Sequence, residues 1–230
     1  MTEFKSNPIV NIVRAEIVTN EDSPRVLWFE NIGSAKPDPF VSEGDEKELR
    51  IKNRILAQDR LEDIIKGYNI KLKDCVLSRD LLEVVDGGEY RAAGSARFEG
   101  YTSPLAGVES ARTRFSLRLY AAEKDYSGES VSFFRFSFPH CAGSPAKFSF
   151  EDGVFSTPEY TVKSRPGSGE AAMLIEMLDS VPVYVSAAPQ APGENEEGKI
   201  FMPTTDITLG GVTFHAGDTV VCTGSGYQVM

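Results

Sequence analysis

GYNIKLKDCVLSRDLLEVVDGGEY, residues 67–90, is the stretch whose reading decides the fold. Ile70 and Leu72 alternate with Lys71 and Lys73, the period-two pattern of a half-buried strand. Ser78 stands where a helix N-cap is expected, and Asp80 follows in the first turn, where a carboxylate meets the positive end of the helix dipole. Leu81, Leu82, Val84 and Val85 set an apolar stripe on about two helical turns. Gly87 and Gly88 supply the left-handed exit. So short a helix is not stable alone, so it must lie on an apolar surface, most simply a sheet. The stretch holds no His, no placed carboxylate pair and no phosphate loop.

Outward from this centre, short alternating runs dominate. Residues 9–19 (IVNIVRAEIVT) and 26–30 (VLWFE) read as the first two strands. In 112–122 (RTRFSLRLYAA), Phe115, Leu117 and Leu119 face one way and Arg112, Arg114 and Arg118 the other. In an acidic chain three such arginines point to ion pairing with a neighbouring strand or subunit rather than to phosphate. Further strands are expected at 95–101, at 131–138 closed by Pro139, at 146–150 and at 159–165. The run 171–178 (AAMLIEML) is apolar on both strand faces, which suggests burial on both sides, under the helix or at a subunit seam.

Two segments break the pattern. Residues 31–47 (NIGSAKPDPFVSEGDEK) hold Gly33, Pro37, Pro39 and Gly44 and read as a long loop, a floppy insertion or an arm that orders against another subunit. Residues 48–58 (ELRIKNRILAQ) extend it as a strand or arm. Residues 187–198 (AAPQAPGENEEG) are a linker by composition. Beyond it, 199–230 restart as tiny strands with Gly-rich turns, too small to hold a core alone.

The chain has 230 residues and a net charge of −10, from 24 Lys and Arg against 34 Asp and Glu. Tight nucleic-acid binding draws on cations and is disfavoured by that balance; solubility alone also explains it. Fourteen Phe and eight Tyr favour sheet. Three widely spaced Cys (Cys75, Cys141, Cys222) argue for reduced thiols. Two His are too few for a His-based metal cluster, and Cys141 beside His140 reads as a buried thiol next to a surface imidazole. Nothing approaches the roughly 20 apolar residues of a membrane span, and MTEFKSNPIV lacks the apolar region of a signal peptide. The Gly-Ser turns at 167–170 and 223–226 lack the context of a nucleophile or phosphate loop, and Asp45, Glu46 and Glu48 lack calcium-loop spacing. No catalytic, cofactor or metal residue is therefore assigned, and the chain is not expected to be an enzyme.

The pattern G-x-x-I-x-L-x-D-x-x-x-S-x-x-LL-x-x-x-DGG of residues 67–88 resembles the central segment of phage major tail proteins, the tail tube subunits of long-tailed bacteriophages. FSFPHCAG (136–143), FSFEDGVFSTPEYTVKSRP (148–166) and LDSVP (178–182) carry a second match, and SEGDEKELRIKNRIL (42–56) a weaker third. They fall in the family's order and span most of residues 1–186; nothing beyond about Pro189 matches. The resemblance implies a mainly β protein: a β-sandwich or barrel with one short helix on its flank, a long inter-strand loop and a small β C-terminal appendage. It implies a tail tube domain at 1–186, a linker at 187–198 and the appendage at 199–230. It implies a structural virion protein assembled in the bacterial host cytoplasm into stacked hexameric rings. DNA would pass through the lumen unbound, and the partners would be other copies, a tape measure and a tail terminator, with no membrane. Asp38, Phe40, Glu43, Leu49 and Ile51 in the arm and Met173, Ile175 and Met177 in the apolar run are the interface candidates. The alternative is a monomeric β-barrel binding module or adhesin with a ligand in its mouth.

Overall fold

The computed structural model describes residues 7–93, 97–109, 112–154, 156–188, 191–192, 196–223 and 226–230. In chain order the strands are β1 (Ile9–Thr19), β2 (Val26–Phe29), β3 (Ile32–Ser42), β4 (Glu46–Ile51), β5 (Arg54–Arg60) and β6 (Ile64–Asp74). The helix α1 (Arg79–Leu81) runs into a π-helical turn at Leu82–Asp86. Then come β7 (Glu89–Ala93), β8 (Arg97–Thr102), β9 (Phe115–Lys124), β10 (Ser130–Gly143), β11 (Glu159–Ser164), β12 (Leu174–Leu178) and β13 (Val183–Val185). The chain ends with β14 (Ile200–Pro203), β15 (Ile207–Leu209), β16 (Val212–Phe214), β17 (Val220–Thr223) and β18 (Gly226–Val229).

The main sheet has the order β2-β1-β9-β10-β11-β6-β3, with β12 also paired to β10. Among the described residues its ladder has β2 and β3 at its borders. Alternation sends Ala15, Ile17, Ile70, Leu72, Phe115, Leu117, Tyr160 and Val162 to one face, where they form the core with Leu81, Leu82, Val84 and Val85. The helical segment thus lies on the sheet as its stripe requires. The Ser78 hydroxyl accepts from the Leu81 amide at 3.4 Å, and Gly87 takes the left-handed conformation at φ 82°. The rest of the DGG motif is fixed by packing. Buried Asp86 accepts from the Ala146 amide at 2.9 Å and from the Tyr101 hydroxyl. A Cβ on Gly88 would come within 2.3 Å of the Thr102 carbonyl.

The opposite face is covered by the C-terminal strands. The sheet β13-β14-β17-β18 encloses Val185, Phe201, Phe214, Val220 and Cys222. Met202 and Ala216 pack on Val26, and Ile200 packs on Tyr120 and Leu178. The molecule is therefore layered as helical segment, main sheet and small C-terminal sheet.

Several expectations need correction. The segment 31–47 is no long loop: Ile32–Ser42 is an eleven-residue strand paired antiparallel with β6. It tolerates Pro37 and Pro39 because it is an edge strand; two apart, both put their missing donor on the open side. Residues 48–58 belong to the β4–β5 hairpin. Pro139 does not close its strand. The strand runs on to Gly143 through a register shift between Phe138 and Cys141, with His140 at φ 47°. The run 171–178 is a strand only from Leu174, and Leu174, Ile175 and Met177 are exposed rather than buried on both sides. Residues 146–150 contribute a single bridge, Lys147 to Glu159. Residues 95 and 96 of the strand expected at 95–101, and 224 and 225 of the Gly-Ser turn, lie outside the described residues.

Candidate functional site

The unusual surface of this protein grows out of β3 and β6. The β6–β11 ladder ends at Tyr68–Ser164, and there the β3–β6 ladder shifts register between Phe40 and Val41. Gly67 sits at that point with φ 142°, and a Cβ on it would lie 2.1 Å from the Ser164 carbonyl oxygen. Beyond the bulge the two strands continue without the sheet. Gly44 donates to the Asp63 carboxylate at 2.9 Å at a constriction where a Cβ would strike the Leu61 carbonyl. Past it the β4–β5 hairpin turns at Lys52, held at φ 54°.

No residue from Phe40 to Lys66 is buried. Yet Leu49, Ile51, Ile55, Leu56, Leu61, Ile64 and Ile65 all lie there with large exposed side chains. Apolar exposure this dense on one ribbon is rare in a monomeric soluble protein. A lone two-stranded hairpin is marginal in water and gains stability only by packing on something.

Of the interface candidates, Phe40, Glu43, Leu49 and Ile51 fall on this arm, and Asp38 lies on β3 just before it. Leu49 and Ile51 are fully open on β4; Asp38 and Glu43 are exposed along β3 and at the hairpin root. Phe40 is held within its own chain, with the Arg165 guanidinium 4.4 Å and the Lys66 ammonium 5.6 Å from its ring centre. The other three belong to a second patch. β12 lines the same side of β10 as β11, in the half of the sheet toward which the ribbon departs. Ile175 and Met177 are exposed there, and among the described residues β12 pairs with β10 alone. Met173 instead packs partly against the main core. Leu56, Leu61, Ile64 and Ile65 escaped the sequence reading, although the alternation of 46–60 around Lys52-Asn53 was a hairpin signal.

A buried polar network fastens the C-terminal layer. Glu16 on β1 is 0% exposed and accepts from Arg118 at 2.9 Å, Tyr184 at 2.9 Å and Tyr120 at 3.2 Å. Arg118 also donates to the Gly217 carbonyl at 2.9 Å. Arg135 pairs with Glu176 at 2.8 Å and donates to Thr219. Arg14 donates to the Pro182 carbonyl at 2.8 Å and lies over the Tyr184 ring, which stacks on Trp28 at 4.0 Å. Burial first, then the Glu16 carboxylate, hold the Tyr120 and Tyr184 hydroxyls well above the usual phenol range. Of the three arginines expected to form ion pairs, Arg118 does so, with Glu16 of neighbouring β1, while Arg112 donates to the Gly143 carbonyl.

Chemistry is sparse elsewhere. Among the described residues no group of three or more His, Cys, Asp or Glu could hold a metal ion. Cys141 is buried and its thiol is pushed up to about 12 by burial, while His140 beside it reaches outward to Glu170 at 3.1 Å. No described helix is long and apolar enough to cross a membrane.

No protein-family model matches the chain, and no curated protein matches it. Among solved structures it is similar to the tube-terminating cap of the anti-feeding prophage, at 14% identity and a TM-score of 0.40, covering 76% of this chain and 95% of that one. It is similar to a chain of the PVC sheath-tube complex, an extracellular contractile injection system in the extended state, at 14% identity and 0.37, covering 77% and 95%. A chain of the anti-feeding prophage baseplate follows at 13% identity and 0.34, covering 76% and 97%. The fold itself is mainly β with one short helix and several sheets.

Proposed function

We propose that this protein is a structural subunit that polymerises into a phage-type tail tube, as stacked hexameric rings around a lumen for DNA. The observation that carries the reading is the arm: a ribbon from Phe40 to Lys66 with eight large exposed aliphatic side chains and no buried residue. A monomer gains nothing from such a ribbon, whereas an assembly buries it against another copy. The exposed Ile175 and Met177 of β12 add a second contact patch. The resemblance of residues 42–56, 67–90 and 136–184 to tail tube subunits supplies the kind of assembly. A net charge of −10 suits a wall along which DNA slides without sticking. The test is negative-stain electron microscopy and sedimentation of the purified full chain at rising concentration. Rings or tubes are expected; a uniform population of monomers at the highest concentration overturns the reading.

A further inference from the structure

The tip of the arm has a chemical character of its own. From Leu49 to Gln58 it carries Arg50, Lys52 and Arg54, no acidic residue, and exposed Leu49, Ile51, Ile55 and Leu56. Arg50 reaches back to Glu48 at 3.1 Å, while Lys52 and Arg54 project from the turn. Such a tip fits an acidic surface with apolar side chains standing on it.

One described loop has that composition. Residues 147–154 are all exposed. Phe148, Phe150 and Val154 offer an apolar surface there, with Phe150 81% exposed, and the two rings stack at 6.2 Å. Glu151 and Asp152 sit in the turn between Phe150 and Val154, neither in an ion pair among the described residues. The other exposed aromatic turn with acids, around Tyr126, differs. It offers one ring, and its Asp125 is engaged by Ser127 and the Glu129 amide.

The register shows where this loop lies. It leads into β11, whose first residue Glu159 pairs with Lys73, whereas the arm departs at the other end of β6, beyond Ile64. About ten strand residues, roughly 30 Å, separate the two ends. The arm and the acidic aromatic loop therefore stand at opposite poles of one chain, and the hairpin is not seated on its own loop.

We propose that the arm tip of one copy docks on the Phe148–Val154 loop of the next, a head-to-tail contact between successive copies of this chain. The inference rests on the tube reading and adds the receiving surface. Contacts of this kind use two different patches and so propagate rather than close on a pair. Ion pairs between Lys52 or Arg54 and Glu151 or Asp152 set the register, while burial of Ile51, Leu56 and Phe150 supplies the affinity.

Charge reversal with rescue tests it. The double variants Lys52→Glu/Arg54→Glu and Glu151→Lys/Asp152→Lys alter only exposed side chains, and their melting curves check that both fold. Each alone is expected to lose at least tenfold in sedimentable polymer, and the chain carrying all four changes to regain it. Polymer at wild-type level from either double variant overturns the docking, as does failure of the fourfold variant to recover. A wild-type chain that never forms rings or tubes overturns the tube reading instead. In a Cys75→Ser background, Ile51→Cys with Phe150→Cys should oxidise to a ladder of covalent oligomers. Monomer alone on the non-reducing gel, from a preparation that does polymerise, also overturns the docking.

Discussion

At the scale of single residues, Glu16 bears the greatest consequence. Its carboxylate is fully enclosed and joins Arg118 of the main sheet to Tyr184 at the entry to the C-terminal layer. Removing one partner of such a buried pair leaves the other charge stranded, at a cost of about 3–5 kcal/mol. Glu16→Ala should therefore lower the melting temperature by about 10 °C, at about 2–4 °C per kcal/mol for a chain of this size. Glu16→Gln, which keeps an acceptor, should lose less; equal and small losses for both, seen by differential scanning fluorimetry, would show that the network contributes little. In the sequence Glu16 is merely a polar member of an alternating strand, IVNIVRAEIVT. The pairing of Arg118 was legible from charge balance, though Arg112 and Arg114 do not share it among the described residues. Its partner was not, because it depends on a register set a hundred residues away, Glu16 opposite Arg118.

Elements show the same division between what local pattern carries and what tertiary context decides. β1, β6 and the capped helical turn were legible because each pairs a clean period with a terminating residue. β3 was not, since proline and glycine content reads as loop unless an edge position is known in advance. That difference changes the experiment on the arm. Deleting residues 34–43 would strip a paired border strand from the sheet. The separable piece is the hairpin Glu46–Arg60, in which every residue is exposed. Replacing it by a short Gly-Ser turn between Asp45 and Leu61 should leave the melting temperature within a few degrees of the wild type while abolishing sedimentable polymer. A large loss of stability would mean the hairpin is part of the fold, and unimpaired polymer would remove it from assembly.

For the molecule as a whole, the C-terminal strands matter most. Composition showed that 199–230 needs a surface to dock on; which surface was beyond a local reading. Of the apolar side chains in this stretch, Ile207, Phe214 and Val220 are buried and Leu209 is half-buried, while Val212, Val229 and Met230 are exposed. Ile200 and Met202 join the layer to the main sheet through Tyr120, Leu178 and Val26, while Ile207, Phe214 and Val220 pack with Phe201 inside the layer. Burial of each contributes about 1.5–3 kcal/mol before ordering costs. Truncation after Pro192 should then uncover Val26, Tyr120 and Leu178 and yield protein that is insoluble or melts more than about 10 °C lower. A truncated chain as soluble and as thermally stable as the full one would make this layer a dispensable ornament.

Pro37 and Pro39 at the centre of the outermost long strand have a consequence for what happens before any partner arrives. An incoming strand would find two gaps in its ladder of amide donors. Amyloid-like extension is thereby blocked along the longest free border, even in a crowded cell holding many nascent copies. Association is left to side chains, whose shape and charge can discriminate, instead of to bare backbone, which cannot.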